Sequence, residues 1–395
     1  MLDTIALTLD RHQFEVLDPD RFSPSAKGLL LPPYYPLGGR GNFACVRNPT
    51  KRDIQGDRYL PRLTLSRRKV EGGFSLTLRV EFSAPKLVFG NNFDELRSRD
   101  FEQVLSTLQL ALGDMDVRVA ADTLRAARVS AVHYGKNIVF TNYTTCSMVI
   151  RELALIDLGR RLDLSRTDYR DEGHAIRYHA NSYEVTFYDK LKDLEQSRIS
   201  EKRAIERDYG AQMQLFGDRG SCPKELQVLR MEVRLGNRAR IMKLLKRIEP
   251  GTEPTFKALF NVSIAKGVLM QFWTQLRAQL PMIEGARDGR PEDLLVSLAA
   301  AASGRARPGT LLQQLGCLML VGSVGFRGAG AILSRHCSAR SWERYKRQIK
   351  ALPQAELPGF SALRQVDVAL TSFQPLRMAS FHAPSTGGSS IGKSG

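Results

Sequence analysis

The sequence predicts an α+β fold: a mainly antiparallel sheet with flanking helices over residues 1–250, a mostly helical part over 251–382 and a disordered tail at 383–395. Three observations carry this expectation. Apolar and polar residues alternate with the period of a half-buried strand in several separate stretches. Helically spaced apolar residues lie between those stretches, in the order of an α+β rather than a βαβ chain. After residue 250 only the helical period recurs, until the glycine- and serine-rich end APSTGGSSIGKSG.

Ile5, Leu7 and Leu9 make the opening strand, and the Pro-, Gly- and Arg-rich residues 18–60 read as long loops. Phe74, Leu76, Leu78, Val80 and Phe82 share one strand face, with Ser75, Thr77, Arg79 and Glu81 on the other. Gly90-Asn91-Asn92 signals a turn, and Phe101, Val104, Leu105, Leu108 and Leu112 predict a helix from about Asp94 to Leu112. Val117 and Val119 read as a short strand. Arg128 to Phe140 is a longer one with Val129, Ala131 and His133 on one face, and a helix from Cys146 to Leu158 follows. Tyr183, Val185 and Phe187 alternate with Glu184 and Thr186 before a charged helix from Leu191 to Tyr209. Gln227 to Leu235 is a strand whose polar face is Arg230, Glu232 and Arg234; Gly236 ends it, and Arg238 to Ile248 is a basic helix. Further helices are expected over about 264–280, 291–303, 309–324 and 339–352.

Fifty-eight basic residues against 41 acidic ones give a net charge of +17, which points to a polyanionic partner such as nucleic acid or an anionic membrane surface. The five cysteines are far apart and form no Cys-x-x-Cys pair, which suggests neither a zinc knuckle nor a disulfide framework and fits a reducing cytoplasm. The first residues, MLDTIALTLD, lack the pattern of a signal peptide. The most apolar run, Leu315 to Phe326, is about half a membrane span and reads as a buried helix.

Tyr188 falls where a strand becomes a helix, beside Asp189 and Lys190. One reading packs its ring and exposes its hydroxyl; the other points the phenol into a cleft, where it can attack a phosphodiester. Asp189 reads either as a last candidate metal ligand, after Glu81, Glu232 and His133, or as a cap for the next helix. Glu81 and Glu232 lie on polar strand faces. In the last helix, Trp342, Tyr345, Ile349 and Leu352 form an apolar stripe and Arg340, Arg344 and Arg347 a separate basic one, which suits either solvent or DNA phosphates, with Lys346 and Lys350 beside it. The terminal Gly-Lys-Ser lacks the upstream glycine and the context of a nucleotide-binding loop.

Four stretches carry a family likeness. They are Ser83, Lys86, Gly90 and Asn92 in SAPKLVFGNN, with Glu81 just upstream; Phe187-Tyr188-Asp189-Lys190; Arg230-Met231-Glu232; and Ser341, Trp342, Arg344 and Tyr345. In this order the chain resembles the replication initiation proteins of filamentous phages and related plasmids, the gene II and gene X family. The likeness runs to about residue 375. It departs at Arg128-Val129-Ser130, where some members carry Arg-Ile-Asp, and there is no His-hydrophobic-His pair.

The resemblance implies a rolling-circle initiator that nicks one strand of origin DNA. Tyr188 is the expected nucleophile, forming a 5′-phosphotyrosyl link and a free 3′-hydroxyl that later reverses the step. Lys190 and Arg230 are the expected charge stabilisers, and Glu81, Glu232 and His133 the candidate ligands of Mg²⁺ or Mn²⁺. Lys86 and Asn92 are expected at DNA, with Arg340, Arg344, Arg347, Lys346 and Lys350 on duplex phosphates. A host polymerase and helicase are the implied partners, in the cytoplasm of a bacterial host. Tyr178 and Tyr183 are near enough in sequence to serve strand closure, although the alternation leaves Tyr183 in the core. The alternative is a DNA-binding protein without enzymatic activity.

Overall fold

Residues with strand alternation pair into one nine-stranded antiparallel sheet of order β3-β4-β5-β1-β7-β11-β10-β9-β8. Its strands are β1 (Leu2–Asp10), β3 (Phe43–Arg47), β4 (Arg62–Val70), β5 (Gly73–Ser83), β7 (Arg128–Phe140), β8 (Asp163–Arg170), β9 (Ala175–His179), β10 (Tyr183–Asp189) and β11 (Gln227–Leu235). A separate two-stranded sheet joins β2 (Glu15–Val16) to β6 (Val117–Arg118). The computed structural model describes residues 1–30, 42–49, 59–71, 73–140, 143–156, 163–170, 174–193, 226–278, 290–302, 306–350 and 363–377. The chain is thus a mixed α+β protein built on a large antiparallel sheet with many helices.

Two meanders, β3-β4-β5 and β11-β10-β9-β8, are joined through β1 and β7 at the middle of the sheet. The opening strand is therefore central, and Ile5, Leu7 and Leu9 are fully buried. The helices labelled here are α1 (Lys27–Leu30), α2 (Ala84–Phe89), α3 (Phe101–Asp114), α4 (Ala121–Ala126), α5 (Cys146–Ala154), α6 (Arg238–Ile248), α7 (Phe256–Leu259) and α8 (Val262–Arg277). They continue with α9 (Pro291–Ala301), α10 (Pro308–Leu333), α11 (Ala339–Lys350) and α12 (Leu363–Ser372).

The apolar sheet face is covered by helices. Phe256 of α7 packs edge-on to Phe82 of β5, with ring centroids 5.8 Å apart, and also meets Phe101 of α3 at 5.1 Å. On α8, Phe272 and Trp273 meet Tyr183 and Phe187 of β10 at 5.1 and 6.3 Å. Tyr178 of β9 is buried and donates its hydroxyl to the Leu153 carbonyl of α5 at 2.7 Å. Tyr183 thus belongs to the core, as its alternation indicates, and the residues just beyond 250 share the core of the sheet.

The departures from expectation have local causes. The helix expected from Asp94 begins at Phe101. Before it, Asn91 Oδ1 accepts the Phe93 and Asp94 amides, and the Glu95 amide donates to the Leu376 carbonyl, so residues 91–97 are held as irregular chain. Gly90 ends α2 at φ +68°, the left-handed conformation a glycine turn supplies. In β7, Val129 is buried on the apolar face, whereas Ala131 and His133 face the polar side. A register shift against β1, with Leu7 opposite Val129 and Ala6 opposite Ala131, reverses the alternation there.

Within the stretch expected to be loop, Phe43–Arg47 is a strand, because it pairs with Leu63–Arg67 of β4. Strands β4, β8 and β9, the short α1 and helix α12 have no counterpart in the sequence-based expectation. Val117 pairs in the small sheet rather than the large one. Helix α5 stops at Ala154. Beyond Asp193 the expected charged helix lies outside the described residues, as do Leu352 and the tail.

Helix α10 runs past the expected 309–324, with a break at Gly325 (φ +72°, ψ 170°). A Cβ there would stand 2.7 Å from the Leu155 Cα, so α10 approaches the end of α5 backbone to backbone. The apolar run counted from Leu315 continues back through the helix. By length and composition Pro308–Phe326 is long enough to cross a membrane, with 33% of its most apolar window buried.

Candidate active site

Cross-strand register puts the polar residues of three neighbouring strands side by side. Tyr188 stands opposite Arg230 and Arg230 opposite Asn137; Thr186 stands opposite Glu232 and Glu232 opposite Gly135; Glu184 stands opposite Arg234 and Arg234 opposite His133. Directly opposed residues in an antiparallel pair share a sheet face. These side chains therefore form one polar field on the face away from Phe187 and Met231. The placement follows from the same alternation that buries Val185, Phe187, Met231 and Val233.

Glu232 is the centre of the field and is only 3% exposed. Its Oε2 accepts the Tyr188 hydroxyl at 3.2 Å and its Oε1 accepts Arg234 Nε at 2.7 Å, with His133 Nδ1 3.5 Å away. Arg230, also 3% exposed, forms an ion pair through Nη2 with Asp3 at 3.0 Å and donates Nη1 to Asn137 Oδ1 at 2.9 Å. Its Nη1 further reaches the Asn92 carbonyl at 3.3 Å. Arg230 Nε lies 3.8 Å from Glu232 Oε2 and has no hydrogen-bond acceptor among the described residues. Gly135 makes room for this guanidinium, since a Cβ there would stand 2.7 Å from Nη2.

Tyr188 itself is half-buried. Its strand ends at Asp189, whose Oδ1 accepts the Leu191 and Lys192 amides at 3.1 Å and so caps the following turn, as the sequence suggests. Lys190 is fully buried, with Nζ 5.7 Å from the centre of the Tyr188 ring and 3.5 Å from Asp193 Oδ2. Toward β9 the field continues through Glu184, which meets Arg177 at 3.3 Å, His179 at 3.0 Å and Arg234 at 3.2 Å.

Protonation follows from this packing. Burial pushes the Tyr188 phenol well above its ordinary value, the Glu232 charge pushes it the same way, and Arg230 opposes both. Burial also works to raise Glu232, but Arg234 and Arg230 outweigh it and hold the carboxyl well below the usual carboxylate range. Burial lowers His133 against the pull of Glu232. In the free protein the field therefore holds a neutral phenol on an ionised carboxylate flanked by guanidinium groups.

Comparison with family models, with curated proteins and with solved structures finds no match.

The three expected metal ligands share the polar face but do not gather. Glu81, on β5 opposite Ala6, pairs with Arg79 at 2.9 Å, and β1 and β7 lie between it and Glu232. Among the described residues no three of His, Cys, Asp and Glu are grouped as a cation site. Glu232 spends its oxygens on Tyr188 and Arg234. As arranged among the described residues, these donors do not make the shell of about six oxygen ligands that a hard divalent cation takes.

Of the residues expected at DNA, Asn92 lies against Arg230 through its carbonyl, and Lys86 sits in α2, its carbonyl accepting the Gly90 amide. On α11 the two stripes separate as expected. Trp342 packs on Phe326 with ring centroids 6.5 Å apart, while Arg340, Arg344 and Arg347 are exposed. Lys346 pairs with Glu343 at 2.7 Å, and Lys350 is the last residue of the helix.

Asp3, Asn137 and Gly135 are site residues that sequence reasoning missed. The signal for Asp3 was present: it shares the parity of Ile5, Leu7 and Leu9, an acid at a buried apolar position, and a register irregularity between Leu2 and Ile5 carries it to the polar face.

Proposed function

We propose that this protein nicks one strand of origin DNA through Tyr188 and later rejoins it, initiating rolling-circle replication. The observation that carries the reading is the pairing of the Tyr188 hydroxyl with Glu232 Oε2, beside a buried Arg230 Nε that has no acceptor among the described residues. In the reaction, the phenol oxygen attacks phosphorus while its proton is lost to solvent, since Arg234 and Arg230 hold Glu232 too far down to keep it. The P–O3′ bond breaks with its electron pair on O3′, which takes a proton from solvent. A 5′-phosphotyrosyl ester and a 3′-hydroxyl remain, and the reverse step reseals the strand.

Arg230, beside Glu232, and Lys190, near the Tyr188 ring, add positive charge beneath the phosphate. On this reading residues 1–250 supply the endonuclease and residues 251–382 the duplex-binding part, with the α11 arginines on phosphates. The host polymerase extends the 3′-end after a helicase opens the duplex, in a bacterial cytoplasm.

A second reading has its own support. A phenol held well above its ordinary value, on a carboxylate neutralised by Arg234 and Arg230, also suits a DNA binder in which the field is a rigid platform without chemistry. Incubation with supercoiled DNA of the replicon separates the two. The nicking reading expects relaxed circles with protein on the 5′ end and none from Tyr188→Phe. Nicking by Tyr188→Phe at the parent rate sinks the nucleophile, and a parent that never nicks leaves the binder. EDTA in the same assay reads the Mg²⁺ or Mn²⁺ requirement expected from the sequence.

A further inference from the structure

A second group of polar side chains, carrying the Lys192 ammonium, lies at the end of the nucleophile's strand. His174 precedes β9, and its carbonyl accepts the Asp189 amide at 2.9 Å, one position beyond the Tyr188–Ala175 pair. Its imidazole is held at both nitrogens, by Lys192 Nζ at 2.7 Å on Nε2 and by Ser147 Oγ at 3.4 Å on Nδ1. Ser147 lies in the first turn of α5, and Lys192 in the turn that follows β10.

The donors here are unspent. An ammonium carries three hydrogens, and the imidazole takes one from Lys192; among the described residues no carboxylate lies within ion-pair distance of it. Asp189, three residues before Lys192, uses Oδ1 on backbone amides. If Nδ1–H donates to Ser147, the serine hydroxyl keeps its own hydrogen. Lys190 and Arg230, by contrast, each have a carboxylate partner. Lys192 is exposed, and His174 and Ser147 are half-buried. Donors standing on opposite nitrogens of one imidazole suit a length of sugar-phosphate backbone better than a single small anion.

We propose that Ser147, His174 and Lys192 form a second subsite that grips the phosphate backbone of single-stranded DNA near the strand break. The inference rests on the nicking reading for its place in the reaction, since four residues from Tyr188 to Lys192 span at most about 14 Å. The subsite holds the strand while the ester at Tyr188 exists.

The test is equilibrium binding of a fluorescent oligothymidylate, about 20 nucleotides long so that it exceeds common site sizes, to the full chain over a salt series. Lys192→Gln is expected to weaken binding about 3- to 10-fold and to flatten the slope of log K against log salt by about 0.7, the value for one single-strand phosphate. Lys192→Arg is expected to keep the slope, and His174→Gln to lower affinity with a smaller change of slope. Lys192→Gln with the parent slope and affinity overturns the proposal, as does displacement of the oligonucleotide by equimolar inorganic phosphate, which means a small-anion site. Urea midpoints of the variants equal to the parent's assign the weaker binding to the subsite rather than to folding. A parent that never nicks but loses slope with Lys192→Gln removes the nicking reading and keeps the subsite; nicking with an unchanged slope does the reverse.

Discussion

Gly135→Ala tests the Arg230 network without removing any of its polar groups. The new methyl would stand 2.7 Å from Nη2 and 2.9 Å from Cζ of Arg230, against about 3.5 Å or more for an unstrained approach. The guanidinium must therefore move by roughly 1 Å. A free arginine end would yield cheaply, but this one is anchored to Asp3 at 3.0 Å and Asn137 at 2.9 Å. A shift of that size takes both beyond hydrogen-bond length. Each broken bond to a buried charge costs about 1.5–3 kcal/mol, and breaking a buried pair costs about 3–5 kcal/mol. Relief of glycine's strand penalty returns about 0.5–1 kcal/mol. The net expectation is a loss of about 2–4 kcal/mol in urea unfolding followed by circular dichroism. In an Arg230→Met background the flexible thioether gives way, and the same change is expected to cost under about 1 kcal/mol. A Gly135→Ala protein as stable as its parent, or an equal cost in both backgrounds, refutes the packing of Arg230 on Gly135.

Other expectations follow from the same field. Asp3→Asn removes the carboxylate facing Arg230 and is expected to lower stability by about 3 kcal/mol, read as a fall in urea midpoint; no fall contradicts the pair. Because the Glu232 carboxyl is depressed in the folded state, its stabilising contribution is full above its ordinary value of 4.5 and is lost as pH falls below that value toward the folded one. The stability gap between parent and Glu232→Gln is therefore expected to narrow below about pH 4.5 and to be constant near neutrality. Gly325→Ala combines a backbone conformation that essentially only glycine adopts, costing about 1–3 kcal/mol, with a clash against the Leu155 backbone, which cannot turn aside. Faster hydrogen exchange at the end of α5 and across α10 is the expected readout. Replacing Arg340, Arg344 and Arg347 by alanine is expected to leave folding intact and to reduce the salt slope of duplex binding by about 0.9 for each phosphate left without its arginine.

Much of this arrangement is legible in the residues because alternation sets both the strand and its facing side. Tyr188, Arg230 and Glu232 fall on one face for the same reason that Phe187 and Met231 fall on the other. Gln227–Leu235 and Arg238–Ile248 have the predicted limits, each closed by its own signal, Gly236 after the strand and the Asn237 cap before the helix. Long-range terms decide the rest. The start of α3 is set by Glu95, which bonds Leu376 and Lys136 far along the chain. His133 is carried to the polar face by an extra residue at Ser130, whose hydroxyl donates to the Ala6 carbonyl of the partner strand, a long-range bond that the alternation does not reveal. Glu81 and Glu232 are each readable as polar-face acids, but the two strands between them are not written in either stretch. Nor is the neutralisation of Glu232 by arginines on its own strand, which turns an expected ligand into the phenol's hydrogen-bond acceptor.

The most direct measurement is peptide mapping by mass spectrometry after the protein has reacted with single-stranded DNA of the replicon and the DNA has been digested. A residual nucleotide phosphate is expected on the peptide containing Tyr188 and absent from Tyr188→Phe. An adduct on another residue, or cleaved DNA with no adduct, contradicts this expectation.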